Sequence, residues 1–272
     1  MIKLFFLFTL CFVIFSCASN TAIKNPVVAK KVIEVKKPVI EVPVISVSHK
    51  DIGYSELEKA ISLGDDDKIK EASAQVLQIN PKDLMALNAL AMCYYRKQQF
   101  GAAELLLNKA LVIQPKSLAV YNNLGLVELT KKNKREAMYM FRKALELDSK
   151  YYVAAVNASA VYGSEKDYKK VIFSLEKIFD NDKIQVDSLN NYAIALNAVG
   201  KHAESADVFK KILKASPENK SAMLNYSILL IEKQGKHKQG LDLIERLKFV
   251  GADNESRQVI KNLENKAKAG LK

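Results

Sequence analysis

Between roughly residues 54 and 250, apolar and polar positions recur with a 34-residue period. Small residues stand at Ala91, Gly125, Ser159, Ala193 and Ser227, preceded in turn by Leu90, Leu124, Ala158, Tyr192 and Tyr226. A second set follows, Ala103, Ala137, Val171 and Ser205, each succeeded four residues later by Leu107, Phe141, Leu175 and Phe209. Small and large residues alternating at helical spacing are what interdigitating helix layers require. The punctuation agrees: Pro81, Pro115 and Pro217 lie 34 and then 102 residues apart, and 102 is three times 34. The pattern predicts stacked helix pairs whose first helices begin at Leu84, Leu118, Tyr152, Val186 and Lys220.

The segment Tyr121-Asn122-Asn123-Leu124-Gly125, with Ala137, Phe141 and Ala144 after it, resembles the tetratricopeptide repeat, and the resemblance runs from Tyr54 to Val250. It implies an all-α solenoid of antiparallel helix pairs, wound as a right-handed superhelix with a terminal capping helix, whose work is binding. The chain then divides into a partial repeat at 51–83, five units over 84–251, and a capping helix with its tail at 252–272. In the partial repeat, Ser55-x-x-Glu58 reads as a capping box. Ser149 and Lys183 replace proline at two boundaries, and Lys233-Gln234-Gly235 carries one extra residue. Ala155 and Ala158, standing where larger residues are usual, predict that the unit from Tyr152 packs least well.

Residues 1–16 have the form of a signal peptide: one lysine, then an apolar run too short to span a bilayer. Ile14-Phe15-Ser16-Cys17 resembles a bacterial lipobox. The resemblance implies three acyl chains on Cys17, enough for permanent anchoring where one is marginal. Ala18 after the cysteine implies sorting to the periplasmic side of the outer membrane. An ordinary signal peptide with an incidental cysteine and a retained membrane-spanning anchor are the alternatives. Residues 17–50 form a linker in which Pro26, Pro38 and Pro43 forbid a continuous helix. At roughly 3.1 Å per residue it reaches about 100 Å. The competing reading is that Val39 to Val47 adds as a strand to a partner's sheet. Of three cysteines, Cys11 leaves with the signal, Cys17 is acylated, and Cys93 remains as a small packing residue.

Charge changes this picture little. The chain carries a net +12, with six lysines against two glutamates in the tether. Basic residues interleaved with stacking aromatics on one face are not seen, so no nucleic-acid partner is expected. His49, His202 and His237 lack ligand spacing, and no cofactor motif, nucleophile triad or phosphate loop is present. A non-enzyme without cofactor or metal is the expectation.

The binding signal is positional: Asn123, Asn157, Asn191 and Asn225 repeat every 34 residues on the first helix of each pair, the helix that lines the concave side in this family. Such amides can hold an extended peptide backbone, as in the similar asparagine ladder of O-linked sugar-transferase repeats. Alternatively they bond to the adjacent helix. Asn122 and Asn190, with Met92, Leu126, Ile194 and Ile228, complete an apolar groove with amide rungs. Lysine and arginine are absent from the positions of the two-carboxylate clamp found in chaperone-binding relatives. In size, lipobox and repeat number the chain is similar to pilotin lipoproteins of type IV pili and to repeat lipoproteins of gliding motility. The partner implied is an envelope protein, a secretin or motility component, and the alternative is an adaptor for cell-wall hydrolases or synthases.

Overall fold

The computed structural model describes residues 52–179, 184–252 and 254–272, and the signal, lipobox and linker readings lie outside them. Among the described residues the chain forms thirteen α-helices. They are α1 (Ile52–Leu63), α2 (Asp66–Ile79), α3 (Leu84–Arg96), α4 (Phe100–Ile113), α5 (Leu118–Thr130), α6 (Lys134–Leu147) and α7 (Tyr152–Ser164). There follow α8 (Tyr168–Leu175), α9 (Val186–Ala198), α10 (His202–Ala215), α11 (Lys220–Glu232), α12 (His237–Val250) and α13 (Arg257–Ala269). The five first helices start at the residues that the period designates.

The turns show why the period holds. Between pairs, the N–H groups of Asp83, Ser117, Tyr151 and Asn219 donate to the carbonyls of Asn80, Gln114, Asp148 and Ser216 at 3.0–3.2 Å. Pro81, Pro115 and Pro217 occupy the second position of these turns, where a fixed φ is an advantage and no N–H is needed. Ser149 takes the same position without disturbing the turn. Asp83 and Asn219 then cap α3 and α11 by accepting from Ala86 and Ala222, both at 2.8 Å. Within pairs, Gln98, Lys132 and Lys166 adopt φ of 59°, 68° and 60°, and Gly200 meets the same left-handed turn at 86°. The extra residue near Gln234 is absorbed here: α12 begins 35 residues after α10, where the other second helices begin at intervals of 34.

Helices packed against their neighbours in sequence leave a core running along the whole stack. Ala91, Ser159, Ala193 and Ser227 are all buried, as are Leu107, Phe141, Leu175 and Phe209 opposite them. Gly125 shows how tight the approach is, for a Cβ built there would lie 2.5 Å from Phe141 Cε1. One expectation needs correction: Ser55 does not cap a helix, because α1 already begins at Ile52 and pairs fully with α2. The unit from Tyr152 departs in another way. Its second helix stops after eight residues and continues as a 3-10 turn, Glu176–Ile178, while Ala155 and Ala158 are fully buried. At the C-terminal end, α13 lays Ile260, Leu263 and Ala267 against the last pair and turns its lysines outward.

Candidate functional site

The first helices of successive pairs meet directly, α3 with α5, α7 with α9, and α9 with α11. They therefore form the inner layer of the stack. Asparagines bond to one another between α3 and α5, α5 and α7, and α9 and α11. Asn123 Nδ2 donates to Asn88 Oδ1 at 2.9 Å, Asn157 Nδ2 to Asn122 Oδ1 at 2.8 Å, and Asn225 Nδ2 to Asn190 Oδ1 at 3.4 Å. Asn122 Nδ2 also donates sideways to Asn123 Oδ1 at 3.2 Å. Each rung spans 35 residues, so a donor on one helix meets an acceptor one position earlier on the preceding first helix. Asn88 belongs to this ladder, and its 34-residue spacing from Asn122 was the signal that would have found it.

Bonding to the adjacent helix is thus one role these amides do fill. Asn122, Asn123, Met92 and Leu126 are fully buried, and Asn157, Asn190 and Ile228 nearly so. The second half of the stack differs. Val156 stands where the partner of Asn191 would be, and an apolar side chain offers no acceptor. Asn191, Ile194 and Asn225 are half-buried, as are Val156 and Leu224 beside them. Together they make a half-buried patch with two amides among apolar side chains.

Other polar groups have structural employment. The Cys93 thiol lies 2.9 Å from the carbonyl of Asp66, and burial together with the Asp66 charge pushes it up to about 11, so it stays protonated and inert. Arg96 pairs with Asp66 across the same junction and keeps that carboxyl below the ordinary carboxylate range. Glu128 is buried yet charged. Burial opposes its ionisation, but hydrogen bonds from Lys131 at 2.7 Å and Asn133 at 2.8 Å outweigh that and hold it below 4.5. Among the described residues no cluster of histidine, cysteine, aspartate and glutamate has the arrangement to hold a metal ion. His202 Nδ1 is engaged by Asn197 Oδ1 at 2.9 Å. No described helix is long and apolar enough to cross a membrane.

Paired antiparallel helices stacked through small residues, with an amide ladder along the inner layer, define a tetratricopeptide α-solenoid. The tetratricopeptide repeat profile matches residues 118–151. Among solved structures the chain is similar to YrrB, described as a tetratricopeptide protein with an unusual peptide-binding site. The identity is 17% and the TM-score 0.60, over 70% of this chain and 98% of that one. It is similar also to PilF of Pseudomonas aeruginosa, at 20% identity and a TM-score of 0.55, over 69% of this chain and 88% of that one. MamA of Desulfovibrio magneticus RS-1 gives 14% and 0.54, over 61% and 94%. At these identities the likeness is one of fold. No curated protein matches the chain.

Proposed function

We propose that this chain is a non-enzymatic lipoprotein of the outer membrane, facing the periplasm, whose solenoid holds another envelope protein during assembly of a type IV pilus secretin or a gliding-motility machine. The fold supports the coarser part, a scaffold for protein partners. The observation that carries the binding reading is the interrupted ladder. Where Val156 replaces an amide, Asn191 keeps hydrogen-bonding capacity at an accessible position beside Ile194, which suits an extended peptide with apolar side chains. The anchoring part rests on Ser16-Cys17-Ala18 and on a linker long enough to hold the solenoid away from the bilayer.

Cys17→Ser tests the address. Cells fed a labelled fatty acid should label the wild-type protein and leave the variant unlabelled, and the variant should leave the outer-membrane fraction. Retention of both the label and the membrane fraction by the variant would remove the lipoprotein reading, while the scaffold reading would stand on the fold alone.

A further inference from the structure

The outer layer carries a second periodic feature that the packing does not use. Leu105 on α4, Tyr139 on α6 and Phe173 on α8 occupy one register, 34 residues apart, and are 72%, 44% and 65% exposed. Core packing cannot account for large apolar side chains at these exposures. Four residues after each comes a lysine, at Lys109, Lys143 and Lys177. On a helix that spacing puts the cation beside the apolar group. Lys143 Nζ lies 5.5 Å from the centre of the Tyr139 ring, and Lys177 Nζ 5.6 Å from that of Phe173. Arg135, Arg142, Lys169 and Lys170 flank the same arc. Glu136, Glu146, Asp167 and Glu176 share it, with Lys143 paired to Glu146 at 3.0 Å and Lys170 to Asp167 at 2.7 Å, so cations exceed carboxylates by three.

We propose that this outer stripe docks on an anionic phospholipid surface. A second copy of the chain is disfavoured, because each copy would bring a cationic stripe and a net charge of +12. A protein interface needs shape-matched knobs and pockets. These side chains instead stand outward at one or two positions per helix pair, with Val112 on α4 and Leu147 on α6 exposed as well. Leucine, tyrosine and phenylalanine tips ringed by lysine and arginine match a bilayer interface, where the tips enter the acyl boundary and the cations meet phosphates. The inference is read from the outer face alone and does not depend on acylation of Cys17.

The chain contains no tryptophan, so Phe173→Trp in the full-length protein places a single reporter in the stripe. Its emission should shift to the blue on addition of phosphatidylglycerol–phosphatidylethanolamine vesicles, and should not shift with phosphatidylcholine vesicles. The triple variant Lys109→Glu, Lys143→Glu, Lys177→Glu should need roughly a hundredfold more anionic lipid, or fail to respond, with an unchanged circular dichroism spectrum. Cys17→Ser should leave the response intact. Tyr139→Trp serves as a second reporter should Phe173→Trp disturb the short α8. The proposal is overturned if the protein sediments with anionic vesicles while the tryptophan emission stays unshifted. It is also overturned if polyglutamate shifts the emission and vesicles do not, which would make the stripe a site for an acidic protein.

Discussion

A hydrogen atom as side chain allows the close contact between α5 and α6. Phe141 is fully buried against Gly125, and an added Cβ would meet two of its ring carbons at 2.5 and 2.7 Å. Gly125→Ala gains up to about 1 kcal/mol in helix propensity, but the buried ring cannot swing away without displacing its neighbours. The expected net result is a loss of about 1–3 kcal/mol, read by thermal or urea unfolding. Phe141→Leu in the same chain should return part of that loss, so the double variant should fall short of the sum of the singles. A Gly125→Ala protein as stable as the wild type would mean that the two helices are further apart than described. The asparagines were legible as positions but not as roles. An amide that bonds to the next helix and one that bonds to a ligand occupy the same register. The repeat register alone does not separate the two.

At the scale of elements, the turns carry more than their composition announces. Lys131-Lys132-Asn133-Lys134-Arg135 reads in sequence as solvated charge. In the structure Lys131 joins Glu104 on α4 at 2.9 Å to Glu128 on α5 at 2.7 Å, and Asn133 donates to the other Glu128 oxygen at 2.8 Å. The network therefore ties one pair to the next across the turn before α6. The Glu128 carboxyl is lowered in the fold, so its contribution is complete above the unfolded value of 4.5 and is lost as pH falls through the folded one. Lys131 is raised, by its hydrogen bond to Glu128 first, so its share is complete below 10.5 and is lost on the alkaline side. Glu128→Gln should cost on the order of 1 kcal/mol at neutral pH, because Lys131 is partly exposed and screened. Melting curves of variant and wild type should converge as pH drops below that carboxyl's folded value. A gap that stays constant down to acid pH would show that the carboxylate charge is not what the network uses. The starts of the five first helices, by contrast, were legible, since small residues, large residues and turn prolines agree in phase, whereas that of α1 was not. The shortening of α8 was not, because nothing in Tyr168 to Ile178 breaks the helical pattern.

For the whole molecule, each helix pair packs on its neighbours and α13 covers the last pair, so the long flanks supply the surface and its use is divided by layer. On the inner layer Asn88, Asn122, Asn123 and Met92 are buried in the first half, and Asn191, Ile194 and Asn225 are half-buried in the second. A scaffold of this kind should touch its protein partner through the second half. The most direct measurement replaces Ile194 with a photo-crosslinking phenylalanine in cells that make the protein at its normal level. The account predicts a discrete adduct with a different envelope polypeptide, reproduced from Asn225 and lost when the same group is placed at Ile79, which lies exposed at the end of α2. Absence of any adduct from Ile194, Asn191 and Asn225, with the protein present and folded, would contradict it and move the partner off the inner layer.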